Sequence, residues 1–176
     1  MYKTALFGAM MLAAVSGIGP AWAQDEEPAP PCSTEEYRQM DFWMGSWNAR
    51  WIDAEGDEQH GSNVISNQLN GCMIFEEFDG HPGSPFLGRS MSQYVAQLGI
   101  WKQVWMDSAG GYIPLTGGQE GEEFILSVDR GSDASPYFRM VFRNVSPEAF
   151  DWHWQQSQDE GESWEDQWHI MYTRTE

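Results

Sequence analysis

The chain predicts an all-β protein: a single antiparallel up-and-down β-barrel of about ten strands behind a short N-terminal helix. Three observations carry that expectation. From Trp47 onward no helical hydrophobic period is sustained, and apolar residues instead alternate in short runs. Turn-forming residues interrupt these runs every 8 to 15 positions. Finally, strands joined in sequence order form a meander that must either expose two edges or close on itself, and closure removes both edges within one domain. A two-sheet sandwich is the competing architecture.

The N-terminus reads as an export signal over residues 1–23. Lys3 supplies the positive region, Ala5 to Val15 form an apolar stretch too short to anchor in a bilayer, and Ala21-Trp22-Ala23 matches a cleavage site. The mature chain then begins at Gln24, with the periplasm or the medium as its compartment and no membrane anchor. A lipid anchor would need a cysteine directly after a small-residue box, whereas Cys32 follows Pro28-Ala29-Pro30-Pro31, well past the apolar segment. Residues 24–32 form an acidic, Pro-rich tether. Residues 33–176 remain as one barrel domain, large enough to bury a core.

Ser33 followed by Glu36 has the capping-box pattern, so a turn or two of helix is expected over Glu35 to Met40 before Phe42 and Trp43 enter the core. The expected strands are Ser46 to Asp53, Ser62 to Leu69, Cys72 to Asp79, Phe86 to Val95, Gly99 to Asp107, Gly111 to Thr116, Glu122 to Asp129, Tyr137 to Asn144, Glu148 to Ser157 and Trp164 to Thr173. Turns are expected at Ala54 to Asp57, Asn70-Gly71, Asp79-Gly80, Ala109 to Gly111, Gly117-Gly118, Gly131 and Asp159 to Gly161.

The charge narrows the partners. The sequence holds 27 acidic against nine basic residues, a net charge of −18, and loss of Lys3 with the signal makes it −19. Such a field repels phosphates, so nucleic acid is excluded as a partner. The acidity either keeps an aromatic-rich protein soluble or draws in a cationic ligand. Two cysteines in an exported chain suggest a bridge from Cys32 to Cys72 that pins the N-terminal lead to the sheet, worth roughly 3 to 4 kcal/mol on the chain-entropy model.

The last hairpin is the best specified. Ser157-x-Asp159-x-Gly161-x-x-Trp164 fits the Asp-box pattern S/T-x-D-x-G-x-x-W, which resembles the turn motif of sialidase blades; it occurs once, so it implies a hairpin and not a propeller. Pairing positions whose numbers sum to 322 sets Phe150 opposite Tyr172, Trp152 opposite Ile170 and Trp154 opposite Trp168, an apolar ladder. The other face then carries Asp151, His153, Gln155, Gln167, His169 and Met171, with His153 and His169 as direct neighbours. The same alternation puts Trp101, Gln103 and Trp105 on one face. Glu76 is in phase with Ile74 and Phe78 and is either an inward carboxylate or an edge charge; Glu77, its neighbour, must face the opposite way.

The succession Cys32, Tyr37 to Trp47, Gly71 to Glu76, Gly88-x-Ser90, Trp101-x-Gln103-x-Trp105-x-Asp107, the box from Ser157 to Trp164 and Tyr172-Thr173-Arg174 resembles a bacterial group of exported proteins of unknown function with a lipocalin-like (calycin) barrel. The resemblance spans nearly all of the mature chain. It implies that Trp47, after Gly45, closes the barrel floor and that Arg174 covers it, a contact worth roughly 0.5 to 2 kcal/mol. It brings no reaction with it.

The expected function is binding of a small, partly apolar molecule in the barrel cavity, with Trp101 and Trp105 among the walls and Glu76, Gln103, His153 and His169 as polar points. No catalytic residue, metal ligand or cofactor is assigned. The alternatives are a hydrolase acting on a carbohydrate or ester through a strand carboxylate and a histidine, and a haem or metal carrier through His153 and His169.

Overall fold

A computed structural model describes residues 30–129 and 137–175. The expected signal at 1–23, most of the tether and the turn at Gly131 lie outside the described residues. Ten antiparallel strands form one closed barrel: β1 (Gly45–Ile52), β2 (Glu58–Gln68), β3 (Met73–Asp79), β4 (Leu87–Val95), β5 (Ile100–Asp107), β6 (Tyr112–Glu120), β7 (Glu123–Val128), β8 (Tyr137–Arg143), β9 (Ala149–Ser157) and β10 (Glu165–Arg174). Each strand pairs with its sequence neighbour and β10 pairs with β1, so no edge is left open. The sandwich alternative is thereby excluded.

One end of the barrel is stoppered by the segment before β1. The helix α1 (Glu35–Arg38) and a 3-10 turn over Asp41–Trp43 bring Met40, Trp43 and Trp47 into full burial. Phe42 meets Phe150 and Phe142 edge-on, at ring centroid distances of 6.2 and 5.7 Å, and the Trp47 indole N–H donates to the Trp43 carbonyl at 2.8 Å. The Arg174 guanidinium lies 4.1 Å over the Trp47 ring and donates from Nη1 to the Met44 carbonyl. Gly45 makes this possible: its φ is +117°, and a β-carbon there would collide with Arg174 Nη1.

The lead is fastened twice. Cys32 and Cys72 form a disulfide, and Arg38 Nη2 donates to the carbonyls of both Cys32 and Gly71. Ser33, however, does not cap the helix. Its hydroxyl donates to the Pro30 carbonyl, and Thr34 occupies the cap position with its own hydroxyl turned to Glu36.

Three further boundaries differ from expectation. β2 begins at Glu58 because Asp53 Oδ1 accepts the amides of Glu55 and Asp57, making a tight turn that lets Glu58 pair with Ile52 at once. Gly117-Gly118 is not a turn but the middle of β6, where Gly117 sits so close to the Ile125 carbonyl that no side chain fits. The 322 register holds from Phe150–Tyr172 through Trp154–Trp168; a bulge then displaces Gln167, so Gln155 pairs with Asp166.

The Asp-box hairpin is fully bonded. Asp159 accepts from the Ser157 hydroxyl and from both the amide and the hydroxyl of Ser163, and these bonds hold its carboxyl down at about 2. Gly161 takes φ +94°, its carbonyl receives the Trp164 indole N–H, and Arg139 lies 4.0 Å over the Trp164 ring.

Candidate functional site

The inward side chains of the strands leave a cavity of about 160 Å³ in the half of the barrel away from the stopper. Trp43 closes its depth. Its walls are aromatic: Phe78, Trp105, Trp152, Trp154 and Trp168 on the strands, and Phe86 from the loop between β3 and β4. That loop is tied down by its backbone, since Gly83 N–H donates to the His60 carbonyl and Gly80 N–H to that of Phe86. The rings brace each other, with Phe86 stacked on Trp105 at 6.2 Å and Trp168 edge-on to Phe78 at 5.8 Å. A wall this interlocked is pre-formed, which favours binding because little is left to order.

Trp105 is placed by two neighbours. Its indole N–H donates to Asp107 Oδ2 at 3.0 Å, and its ring lies across Gly88, where any β-carbon would overlap it. Asp107 also accepts the amides of Ala109 and Gly111. Burial would raise its carboxyl, but these three bonds outweigh burial and hold it below its ordinary value.

Glu76 is the buried acid of the wall. Alternation along β3 turns it inward between Ile74 and Phe78, and it is only 6% exposed. Ser90 Oγ–H donates to its Oε2 at 2.6 Å and Asn63 Nδ2 to its Oε1 at 2.8 Å. Among the described residues no cation touches it: Arg89 points outward, bonded to the carbonyls of Phe78 and Gly88. Desolvation therefore dominates and pushes the carboxyl up to about 7, against the two hydrogen bonds. Tyr172 lines the same cavity, and burial, together with the nearby Glu76, raises its hydroxyl well above its ordinary value, so it stays protonated.

The other expected polar points lie elsewhere. Gln103 is inward and buried, but its amide donates to Ser92 Oγ at 2.8 Å and it does not line the cavity. Trp101 is 2% exposed at the stoppered end, with its indole N–H on Gln39 Oε1, so it is core rather than wall. His153 and His169 are on the outer face, because the apolar ladder of β9 and β10 takes the inner one. Their rings stack at 4.2 Å, and each is bonded to its own carboxylate, His153 Nδ1 with Asp166 at 2.8 Å and His169 Nε2 with Asp151 at 3.0 Å.

These placements bear on the alternatives. None of the four histidines lines the cavity, so Glu76 has no imidazole to work with. The stacked imidazoles face each other plane to plane rather than converging on a point, and among the described residues no group of three or more His, Cys, Asp or Glu is placed to hold a metal ion. Also among the described residues, no helix is long and apolar enough to cross a membrane.

Asn63, Ser90, Tyr172 and Phe86 are cavity or Glu76-shell residues that sequence reasoning missed. The one available signal was spacing: Gly88-x-Ser90 puts a residue without a side chain and a small hydroxyl in phase on the inward face, a combination that serves a bulky neighbour and a polar one.

No family model and no curated protein matches the chain. Among solved structures it is similar to a de novo designed fluorescence-activating β-barrel, with 14% identity, coverage of 77% of this chain and 95% of that one, and a TM-score of 0.42.

Proposed function

We propose that this protein binds a small, partly apolar molecule in its barrel cavity and does so as an exported, lipocalin-like protein. Residues 1–23 would be removed on export to the periplasm, leaving residues 24–32 as a tether and 33–176 as the binding domain. The observation that carries the binding reading is the asymmetry of the barrel: one end is stoppered by Met40, Trp43 and Trp47, while the other half is hollow and walled by aromatic rings around Glu76. The hollow is close in size to an engineered cavity of roughly 150 Å³ that takes up benzene, so the ligand, or the part of it inside, is about one ring in size. The Trp47–Arg174 contact and the Cys32–Cys72 bridge support the lipocalin-like and exported readings respectively.

Native mass spectrometry and thermal shift with single-ring aromatics, terpenoids, lipids, haem and glycans test the binding reading. A one-to-one complex that raises the melting temperature and alters tryptophan emission is the expected result. A screen in which no probe binds or stabilises overturns it. N-terminal sequencing of the exported protein should find Gln24 first.

A further inference from the structure

We propose that the ligand is a small organic cation, an ammonium group on a body about one ring in size, with its charged head seated between the aromatic walls and the Glu76 carboxylate. This deepens the binding reading and rests on it. Three independent observations converge on a positive charge.

The first is the wall. Phe78, Trp105 and Trp168 line the same cavity as Glu76, with the Trp105 and Trp168 rings 6.4 and 5.8 Å from that of Phe78, and Trp152 and Trp154 of β9 run parallel to each other within 9°. A small hollow lined by this many indole and phenyl groups suits an ammonium, which gains most from an aromatic ring where it has shed its water.

The second is the unanswered charge. Among the described residues that line the cavity, the carboxyl and basic side chains are two acids, Glu76 and Asp107, with no lysine, arginine or histidine. Asp107 is already answered by three N–H donors. Among the described residues Glu76 has two donors and no counter-ion; of the buried polar atoms without a partner, Asn63 Oδ1 belongs to a residue bonded to Glu76, and the Trp43 indole N–H, a donor, belongs to a residue that lines the cavity. The described lining thus carries two carboxyl groups with no basic side chain opposite them, which is the state a cation would complete.

The third is the field of the whole molecule. A net charge of −18 draws cations toward any concave, low-dielectric mouth and repels anions of the same size.

Seating a fixed cation beside Glu76 requires the carboxyl to give up its proton. The groups that face it from neighbouring elements are few. From β10 comes Tyr172, which stays protonated; from β2, Asn63 and Ile65, which do not titrate; from β4, Ser90, with Arg89 outside and acting only through its field; Asp107 of β5 lines the same cavity and is held below its ordinary value. Glu76 is therefore the group whose ionisation follows pH near neutrality, and cation affinity should rise with pH across that range.

The test compares benzyltrimethylammonium with neopentylbenzene, its neutral carbon isostere, titrated into the mature protein and followed by tryptophan emission or calorimetry. The quaternary probe does not titrate, so any pH effect belongs to the protein. The expected result is a one-to-one complex with the cation about tenfold or more tighter than with the isostere at about pH 8, falling about tenfold toward pH 6. In Glu76→Gln both the preference and the pH slope vanish while the isostere still binds. If that variant does not fold, the wild-type pH slope and the isostere comparison decide alone. Equal or tighter binding of the isostere, or a pH-independent cation affinity, overturns the cation assignment and leaves the binding reading standing. Binding of neither probe overturns the cation assignment, while the broader ligand screen decides the binding reading separately.

Discussion

Trp105 lies across Gly88 of the neighbouring strand, its ring filling the space that a β-carbon would need, and Asp107 holds the indole N–H so that the ring stays there. The cavity wall is thus set by an absent side chain. Gly88→Ala must push Trp105 into the hollow, at a cost of about 1 to 3 kcal/mol of overpacking and with about tenfold or greater loss of affinity for any ring-sized probe. Urea denaturation and probe titration check both. The double change Gly88→Ala with Trp105→Phe should recover part of each loss, because the two residues share one space.

Glu76 makes stability fall with rising pH. Its carboxyl ionises near its ordinary value of 4.5 when the chain is unfolded but at about 7 in the barrel, so between these values the folded state holds the extra proton. Stability from this group is fully present below about 4.5 and is lost as pH climbs through about 7, a swing of about 3 kcal/mol. Glu76→Gln lacks the swing. The stability difference between variant and wild type should therefore move in the variant's favour from pH 5 to 8, and other carboxylates cancel in that difference. An unchanged difference across the range would show that the carboxyl is hydrated or paired in solution.

The barrel was legible because strand pairing leaves a local trace. Phe150, Trp152 and Trp154 alternate against Tyr172, Ile170 and Trp168, so one hairpin register follows from side chains alone, and the turn residues between runs supply the meander. Which face is inside is not a local property. On β9 the outward His153 is only 7% exposed while the inward Trp152 is partly open to the cavity, so burial alone does not tell the faces apart. The polar shell of Glu76 was hidden for the same reason: Asn63, Ser90 and Tyr172 come from three strands and meet only when the barrel closes. The helix cap failed on a one-residue ambiguity, since Ser33 and Thr34 both suit that position.

The Cys32–Cys72 bridge closes a span of 40 positions and ties the stopper to the sheet. Replacing both cysteines by serine should cost about 4 kcal/mol on the chain-entropy model. Arg38, which bonds the Cys32 and Gly71 carbonyls, retains part of the tether, so the variant should still close its barrel and bind ring-sized probes. The check is a lowered urea midpoint with far-UV circular dichroism unchanged in the absence of denaturant.

His153 and His169 separate stability from binding. Both lie outside the barrel wall, so His153→Gln and His169→Gln should leave affinity for ring-sized probes within about twofold, whereas a cavity role would cost about tenfold or more. Stability should respond, with a defined sign. Burial pulls the His153 imidazole below its ordinary value, against the Asp166 carboxylate that favours its charged form. The unfolded chain therefore takes up the proton first as pH falls, and the His153 contribution to stability, intact above about 6.5, is lost below it. His153→Gln keeps a hydrogen bond to Asp166 but cannot titrate, so its denaturation midpoint should fall less steeply than that of the wild type between pH 7 and 5. NMR titration of the imidazole resonances reads the same quantity directly, and a His153 midpoint above 6.5 would mean that Asp166, and not burial, governs the pair.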